Sequence, residues 1–348
     1  GWTGLPDGAS GLLTSGGSAA NTTAIVAARH HFVERGGDIR RLIVYTSSQA
    51  HSSVIRAAWV AGIPRSNVRI IETDENFRIR LDLLEESIGR DRASGGEPFL
   101  VAANAGATST GAVDPIEDLA GVCEKNSLWL HVDAAYAGFA VLTEEGKRLL
   151  GRIDLADSIT LDPHKWLFVP FECGCLMVKD PAKLSDAFRI MPEYLQDVEP
   201  GEQEVNFADR GVQLTRYSRA LKIWVSVNYF GTRAIAEAIQ DAMERARLLD
   251  GLVRADPAFE ILSPAQFGIV CFRAKPSGFD EAALDALNEK INNRVVAEGR
   301  FLISSTRLNG RFSLRMCTLN FRTTHDDVRN LFETIRRSLA AELAAEIP

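Results

Sequence analysis

The protein has 348 residues, of which 46% are hydrophobic and 24% are charged, and its formal net charge is -7. At about 150 residues per domain, this length predicts about two domains with large hydrophobic cores. The acidic balance argues against nucleic acid as a partner, because nucleic-acid-binding domains carry basic patches. No apolar stretch approaches the ~18 residues needed to cross a bilayer and no signal peptide opens the sequence, so we expect a cytoplasmic enzyme without membrane contact.

The chain opens on Gly1-Trp2-Thr3 and not on Met, and it soon enters an apolar stretch followed by a glycine turn. This pattern predicts that an N-terminal segment of the natural protein is missing. The five cysteines are scattered and odd in number, which argues against the disulfide framework of a secreted protein. Cys173 and Cys175 form only a C-x-C inside an apolar run, so we expect core packing there and no metal site.

Apolar runs rich in Val, Ile and Leu alternate with helical patterns through the first half of the chain. This alternation is typical of an α/β fold with a mainly parallel sheet and helices on both faces. The predicted strands are 41–46, 68–72, 99–104, 127–133, 158–161 and 174–178. The first helix is predicted over 18–35 and ends at two glycines. A later helix is predicted over 115–126, with Asp114 as its N-cap, Pro115 at its first position and Glu117 in the capping box.

The sequence pattern changes after about residue 184. The segment 189–212 is polar and acidic with little periodicity, which predicts a mobile lid, an active-site loop or disorder. A long helix is predicted over 215–255 with a break near Gly231. Beyond it we predict strands over 268–273 and 312–317 and helices over 280–297 and 324–343. Two domains are therefore expected, a large one over 1–235 and a small C-terminal α+β domain over 236–348.

The stretch 157–168, D-S-I-T-L-D-P-H-K-W-L-F, places Lys165 directly after an apolar strand, between His164 and Trp166. Lysine is almost never buried unless it is paired or functional. A desolvated lysine amine has a lowered pKa, which suits covalent chemistry with carbonyl compounds. The structural alternative is a lysine whose side chain extends from the strand end into water. The position alone does not decide between the two.

A second predicted strand ends at His131-Val132-Asp133 and is followed by the small residues Ala134 and Ala135. Ligands of open α/β sheets bind at the carboxyl ends of the strands, and small side chains there leave room. A carboxylate at this edge is suited to keep the ring nitrogen of pyridoxal phosphate (PLP) protonated, as the acidic partner of a PLP lysine does. The alternative is an aspartate that caps a helix.

The stretch 11–21, G-L-L-T-S-G-G-S-A-A-N, combines a short apolar strand, a glycine turn and a helix that starts at Ser18. Free N–H groups at a helix start, together with a serine hydroxyl and glycines, favour a phosphate site. The motif is neither G-x-G-x-x-G nor a Walker loop. The alternative is an ordinary strand-to-helix turn.

Taken together, these stretches resemble the group II PLP-dependent decarboxylases, and most closely the aromatic-L-amino-acid decarboxylase branch. The matching strings, in chain order, are S-G-G-S-A-A-N, Q-A-H-S-S, N-A-G-A-T-S-T-G-A-V-D, H-V-D-A-A-Y-A-G and D-P-H-K-W-L. The resemblance covers essentially the whole chain, through 268–273 and 306–311, and lacks only the family's N-terminal segment. It implies a fold-type I PLP-enzyme fold and a homodimer with the active site at the subunit interface.

The resemblance also implies a role for each matched residue. Lys165 would bind PLP covalently, Asp133 would pair with the ring nitrogen, and His51 would stack on the ring. Other residues would line the ring or hold the phosphate: Thr108 and Ala135 the ring, and Gly17, Ser18, Asp162 and His164 the phosphate. Asp162 departs from the family, which often has Asn there, and a carboxylate repels a phosphate unless it caps a turn or is itself paired. His131 is either a satisfied core histidine or part of the site.

The implied reaction is decarboxylation of an L-amino acid, preferably aromatic, to the amine and CO2, through Schiff-base exchange at Lys165. In this family a tyrosine on a mobile loop returns a proton to the substrate carbon. Alignment without gaps back from 219–224 places Phe207 at that position, and a phenyl ring cannot donate a proton. In aromatic aldehyde synthases a Phe there accompanies release of an aldehyde, ammonia and peroxide. The alternative is a shifted loop alignment, with His or water as the acid.

Other interpretations stay open. Aminotransferases and cysteine desulfurases share the lysine-on-a-sheet arrangement, but D-P-H-K-W and Q-A-H-S-S speak against both. A catalytically impaired homologue, acting as a structural or regulatory subunit, is favoured only if the natural protein lacks the N-terminal segment. Among substrates, glutamate or another acidic amino acid is the alternative to an aromatic one. The expected partner is a small-molecule amino acid and not nucleic acid or a membrane.

Overall fold

The computed structural model describes residues 1–190 and 205–345, and the chain divides into two units. The first unit comprises Gly1–Thr108 and Ala112–Ile235, and the second comprises Ser109–Gly111 and Ala236–Pro348. The polar segment predicted over 189–212 lies for the most part outside the described residues. Within the described ranges, none of the helices combines the length and the apolar character that a membrane span requires.

The first unit is built on a seven-stranded sheet. Its strands are β1 (Ser10–Thr14), β2 (Leu42–Ser47), β3 (Val68–Ile71), β4 (Glu97–Asn104), β5 (Trp129–Asp133), β6 (Ser158–Leu161) and β7 (Gly174–Val178). They lie in the order β1-β7-β6-β5-β4-β2-β3. The strands from β3 to β6 in this order are parallel, whereas β7 is antiparallel to both β6 and β1. The predicted α/β fold with a mainly parallel sheet is confirmed.

The central strands are almost entirely buried because both faces of the sheet are covered. Every residue of β2 and of β5 is buried. The register pairs Asn104, the last residue of β4, with Asp133, the last residue of β5, and Asp133 with Thr160 of β6. Polar side chains therefore meet at the carboxyl edge of an otherwise apolar sheet.

Seven helices described in the first unit connect and cover these strands, besides the start of a longer one. They are α1 (Gly17–Val33), α2 (Ser52–Val60), α3 (Leu81–Ala93), α4 (Ile116–Asn126), α5 (Glu144–Leu150), α6 (Pro163–Trp166) and α7 (Ala182–Phe188). The buried face of α1 carries Ala20, Ala24, Ala27 and Ala28, which are small enough to let α2 and the sheet approach closely. The position of α1 matters because its first turn lies at the site described below.

The long helix α8 (Arg219–Ala255) leaves helical geometry at Gly231, where φ is 79° and ψ is 153°. The predicted break is confirmed there, and only glycine adopts such a conformation without strain. The second unit carries an antiparallel sheet of β8 (Phe259–Gln266), β9 (Ile269–Ala274), β10 (Ser304–Leu308) and β11 (Arg311–Cys317), in the order β10-β11-β9-β8. Helix α9 (Glu281–Ala297) contacts β9 and β11, and α10 (His325–Ala345) packs on α9.

Two local predictions differ from the structure. Helix α4 begins at Ile116 without a side-chain cap, so the prediction that Asp114 is its N-cap is wrong. The carboxylate of Asp114 instead accepts the N–H of Ile79 at 2.7 Å and the N–H of Asn104 at 2.7 Å. Strands β8 and β10 were not predicted, and both lie at the edges of their sheet.

Candidate active site

A cavity of about 290 Å³ lies at the carboxyl ends of β4, β5 and β6. Its walls come from the glycine turn before α1, the start of α2 and the loops that follow the three strands. The residues predicted from the sequence that line it are Gly17, Ser18, His51, Thr108, Asp133, Ala135, Asp162, His164 and Lys165. Segments far apart in the sequence therefore meet where open α/β sheets bind ligands.

Asp133 is the acidic group at the end of β5, and it is buried. Its Oδ1 accepts the N–H of Ala135 at 3.1 Å, and its Oδ2 accepts the side-chain amide of Asn21 at 2.9 Å. Two donors thus hold the carboxylate in one orientation. His131, two residues earlier, is fully buried, does not line the cavity, and has partners on both ring nitrogens, Ser158 and Asn21. His131 is therefore a fully hydrogen-bonded core residue that is connected to the site through Asn21.

Lys165 lies in α6, directly after β6, and its side chain is 34% exposed. Its Nζ is 2.9 Å from Oδ2 of Asp162, whose side chain is buried. In the described structure the other oxygen, Oδ1 of Asp162, has no hydrogen-bond partner. Burial raises the pKa of Asp162, and the charge of Lys165 opposes that rise. The lysine amine therefore lies within hydrogen-bond distance of one oxygen of a carboxyl group, and the other oxygen of that group has no partner among the described residues.

The ring of His164 lies beside the same carboxyl group. Its Nδ1 accepts the N–H of Cys173 at 3.0 Å, and its Nε2 is 3.7 Å from Oδ2 of Asp162. Burial lowers the pKa of His164, although the charge of Asp162 opposes this. Because Nδ1 is an acceptor, a neutral His164 carries its proton on Nε2, the nitrogen closer to Asp162. His164 thus presents an N–H, and not a lone pair, on that side.

His51 is the N-cap residue of α2, and it also lines the cavity. Its Nδ1 accepts the backbone N–H of Ser53 at 3.2 Å and lies 2.7 Å from the hydroxyl of the same serine. Both contacts fix the plane of the imidazole ring. A fixed aromatic ring in the wall of a cavity is suited to pack against a planar group.

The glycine turn before α1 approaches the rest of the site closely. A Cβ added to Gly17 would lie 3.1 Å from both the Cβ of Ala135 and Oδ2 of Asp162. A Cβ added to Gly174, at the start of β7, would lie 2.5 Å from backbone atoms of Gly16. Glycine is therefore required for this packing, which puts the first turn of α1 in the cavity wall. Helix starts leave N–H groups without helical partners, and such a turn favours an anionic group.

Phe207 is the one predicted site residue that does not line this cavity. It begins a short 3-10 helix, Phe207–Arg210, and lines a second cavity of about 450 Å³ together with Leu12 and Arg216. The guanidinium carbon of Arg216 lies 5.2 Å from the centroid of the phenyl ring. The single chain thus keeps Phe207 apart from Lys165, and the role of Phe207 in catalysis stays a prediction.

Sequence reasoning assigned no role to several residues that lie at the site. Asn104, Ser53 and Tyr136 line the cavity, and Asn21 bonds to Asp133 from α1. Asn104 carries the same signal that identified Asp133, because it is a polar residue that ends an apolar predicted strand. Asn21 is the last residue of the S-G-G-S-A-A-N motif, and nothing local in the sequence shows which partner its amide has.

Comparisons with known proteins agree with this arrangement. The model of the family described as "Pyridoxal-dependent decarboxylase conserved domain" matches residues 3–275. An aromatic-L-amino-acid decarboxylase of Bacillus atrophaeus is 41% identical over 350 residues, which cover 99% of this chain and 72% of that protein. A phenylacetaldehyde synthase of Arabidopsis thaliana is 35% identical, over 80% of this chain and 57% of that protein. The crystal structure of Oryza sativa TDC with PLP and tryptamine matches with a TM-score of 0.92 and 30% identity, over 98% of this chain and 72% of that chain.

Proposed function

This chain belongs to the pyridoxal-dependent decarboxylase family, and from that premise we propose that it converts an aromatic L-amino acid to the corresponding amine and CO2. The observation that carries the proposal is that Lys165, Asp133 and the first turn of α1 line one cavity. The aromatic substrate is supported by the relatives, among which are decarboxylases named for aromatic amino acids, tyrosine and tryptophan.

The cavity fits the family's cofactor, PLP, at three places. Lys165 offers an amine, Asp133 offers a buried carboxylate for the ring nitrogen, and the first turn of α1 offers N–H groups for the phosphate. The glycines of the turn keep this space open, since a Cβ on Gly17 would enter it. The partnerless Oδ1 of Asp162 is a buried polar atom that a bound group would satisfy.

When bound, PLP holds the substrate amine covalently and accepts the electron pair that CO2 leaves behind. The side chains of this chain provide orientation and proton control. Asp133 is held in one orientation by two donors, so its remaining acceptor positions are available to a proton on the ring nitrogen. Because this carboxylate is buried, the interaction takes place in a low dielectric, where it is stronger than in water.

Besides Asp133, Lys165 and Asp162 together form a second place at which a proton can be held or released. The Nζ of Lys165 is already 2.9 Å from Oδ2 of Asp162, so the amine can exchange a proton with that oxygen once substrate has taken its place. Burial raises the pKa of Asp162, and the ammonium group of Lys165 offsets the charge of the ionised carboxylate, so both reduce the repulsion between this carboxyl group and a phosphate.

The test of this proposal is the change Lys165→Ala. Wild-type protein incubated with PLP is expected to show a visible absorption band that borohydride abolishes, and Lys165→Ala is expected to lack it. Amine formation from aromatic amino acids should fall by about 10³-fold or more, because the covalent route is lost. Lys147→Ala is the matched control, since Lys147 lies on the surface of α5 and, in the part of the chain that the structure describes, forms its ion pair with Glu144. An unaltered band in Lys165→Ala would refute the proposal.

A second candidate function is favoured by Phe207. A phenyl ring cannot return a proton to the substrate carbon, and the relatives include a phenylacetaldehyde synthase. An aldehyde synthase would consume O2 and water and would release CO2, aldehyde, ammonia and hydrogen peroxide in place of CO2 and the amine. In that case, Phe207→Tyr should restore amine and lower peroxide by about tenfold or more, in line with the contribution of a positioned acid.

Products of wild type, Phe207→Tyr and the surface control Phe321→Tyr are compared by chromatography and a peroxide assay. Amine as the main wild-type product would reject the aldehyde synthase. If the wild-type protein forms neither product and no visible band, the impaired homologue becomes the better explanation.

A homodimer is the assembly we propose for this chain. The part of α8 before Gly231 carries large apolar side chains that are exposed in the single chain: Leu221, Trp224, Tyr229 and Phe230. Large exposed apolar patches mark surfaces that a partner covers. A second copy of the same chain is the partner that the family resemblance supplies.

A further inference from the structure

A chain of hydrogen bonds runs through the core of the first unit and ends at Asp133. It begins at Trp129, whose Nε1 donates to Oγ of Ser158 at 2.8 Å. Ser158 Oγ lies 2.8 Å from Nδ1 of His131, and Nε2 of His131 lies 3.0 Å from Oδ1 of Asn21. Asn21 Nδ2 donates to Oδ2 of Asp133 at 2.9 Å. All five side chains are buried, so water does not compete for these bonds.

The chemistry of its two ends fixes the direction of every bond in this chain. An indole N–H can only donate, so Ser158 Oγ accepts from Trp129, and the second lone pair and the proton of this hydroxyl suit either direction of the bond to Nδ1 of His131. An ionised carboxylate can only accept, so Asn21 turns its NH2 toward Asp133 and its oxygen toward His131. The Asn21 oxygen can only accept, so a neutral His131 carries its proton on Nε2, and Nδ1 accepts from the Ser158 hydroxyl. The tautomer of His131 and the orientation of the Asn21 amide thus both follow from the acceptor character of Asp133.

A branch of the same chain reaches His51. The second N–H of the Asn21 amide donates to Oγ of Ser53 at 2.9 Å, and this hydroxyl lies 2.7 Å from Nδ1 of His51. The backbone N–H of Ser53 also donates to that Nδ1. Nδ1 of His51 is therefore an acceptor, the serine hydroxyl is its donor, and the proton of a neutral His51 lies on Nε2. One amide, that of Asn21, connects the carboxylate and the imidazole of the site.

We do not interpret this chain of hydrogen bonds as a proton relay through His131. Burial lowers the pKa of His131 to about 4, although the charge of Asp133 opposes this. The imidazole stays neutral at physiological pH and serves as one donor and one acceptor. A histidine that only fills the core would need no such connection to the carboxylate.

We propose that Asn21 and His131 are positioning residues of the active site: together they hold Asp133 ionised and correctly oriented and, through Ser53, keep the proton of His51 on Nε2. The effect on catalysis rests on the role of Asp133 in the proposed function. Without the N–H of His131, the Asn21 amide is free to turn its oxygen toward Asp133. The carboxylate would then lose a donor and face a like partial charge, both of which disfavour its ionised form.

The first test measures the tautomers directly. Nitrogen-15 spectra of the histidine-labelled full chain are recorded between about pH 6 and pH 8, before and after addition of PLP. Six histidines are present, and single His→Gln variants assign them. We expect His131 to be neutral in both states, and the neutral forms of His131 and His51 to carry the proton on Nε2. A proton on Nδ1 of His131, or a charged ring, would overturn the inference.

The second test uses a matched pair of variants. In His131→Gln the side-chain amide nitrogen reaches the position of Nε2, so the donor to Asn21 is retained. In His131→Asn the shorter amide reaches only the position of Nδ1, so the contact with Asn21 is lost while that with Ser158 remains. We expect kcat to stay within a few-fold of wild type for Gln and to fall about tenfold or more for Asn, with KM nearly unchanged, because a misplaced group costs rate.

The pH profile separates positioning from a general loss of structure. In His131→Asn the acid limb of the kcat profile should move to higher pH, because Asp133 becomes harder to ionise, whereas His131→Gln should keep the wild-type limb. Ser158→Ala, which removes the donor to Nδ1 together with the acceptor of the Trp129 N–H, should shift the limb in the same direction by less and serves if His131→Asn does not fold. Equal kcat and equal profiles in the Gln and Asn variants would refute the inference.

These outcomes are separate from those of the proposed function. If wild-type protein shows no visible band that depends on Lys165, the proposed function fails, and the tautomers measured without PLP are unaffected. If the band is present but the variants do not follow the expected order, the positioning inference alone fails.

Discussion

Asp114 shows how the surroundings of a single residue decide its role. The sequence places it before Pro115 at a helix start, which is typical of an N-cap, yet it accepts N–H groups from Ile79 and Asn104 instead. Residue 79 is 35 positions away, so no local pattern could have identified it. Burial raises the pKa of Asp114 to about 6, and the N–H donors oppose this. Asp114 therefore connects two chain segments through hydrogen bonds and does not cap a helix.

This raised pKa predicts a specific pH dependence of stability. Between the unfolded pKa of 3.8 and the folded pKa of about 6, the folded protein holds a proton on Asp114 that the unfolded chain has released. The stabilisation that this bound proton gives the folded protein is therefore fully present below about pH 4, and it is lost as the pH rises through about 6. Asp114→Asn does not titrate, so its stability relative to wild type should rise by on the order of 2 kcal/mol between about pH 4 and pH 7.

Urea unfolding followed by tryptophan fluorescence at several pH values measures this difference. Asp118→Asn is the control, because Asp118 is exposed in the first turn of the same helix, and its stability difference should stay nearly constant. A constant difference for Asp114→Asn as well would contradict the prediction.

At the scale of elements, the site depends on how closely β7 and the glycine turn approach each other. A Cβ on Gly174 would lie 2.5 Å from backbone atoms of Gly16 and 2.6 Å from Oγ1 of Thr14. These are mostly backbone atoms and cannot turn aside as a flexible side chain can. The spacing between β7 and the start of α1 is therefore set by the absence of a side chain at residue 174.

Gly174→Ala is expected to push the glycine turn out of place. The protein should lose about 1–3 kcal/mol of stability, and its affinity for PLP should fall about tenfold or more. Gly89→Ala is the matched control: Gly89 lies inside α3, and a Cβ there meets nothing within 4 Å. That change should raise stability by about 0.5–1 kcal/mol and leave the affinity unchanged. Thermal unfolding and titration of the visible band measure both, and equal affinities in the two variants would contradict the expectation.

The elements that the sequence predicted correctly and those it missed differ in burial. Strands β2, β4, β5 and β6 are buried on both faces and rich in apolar residues, and their positions were predicted to within a few residues. The missed strands β8 and β10 are edge strands. β10 is mostly exposed, and β8 contains a proline, which edge strands tolerate because one side of their backbone needs no partner. Their patterns therefore resemble those of loops.

At the scale of the whole molecule, α8 carries large apolar side chains that are exposed in the single chain. Trp224 is 63% exposed and Tyr229 is 80% exposed in the single chain, and Leu221 and Phe230 lie on the same stretch of helix. Leaving such side chains in water costs hydrophobic free energy that an interface would recover.

We therefore expect wild-type protein to sediment with twice the chain mass of 38.1 kDa at micromolar concentration. Trp224→Glu should weaken the dimer by about 30-fold or more, because an interface tryptophan contributes about 2 kcal/mol and a buried carboxylate adds a penalty. Trp59→Glu is the control, since Trp59 is also exposed but lies on α2 beside Arg65. Sedimentation velocity over a range of concentrations measures the dissociation constant. A wild-type monomer at these concentrations would contradict the proposed dimer.

The sequence by itself determined the fold class, the family and most of the residues that line the cavity. It could do so because strand periodicity, the glycine turn and the residues that end strands are local patterns, and parallel strands bring their carboxyl ends to one edge. Only the tertiary structure decided the partners of the buried polar groups: the N–H groups on Asp114, the separate position of Phe207, and the chain from Trp129 to Asp133. The direction of a buried hydrogen bond depends on which distant side chain lies opposite, and no pattern along the sequence carries that information.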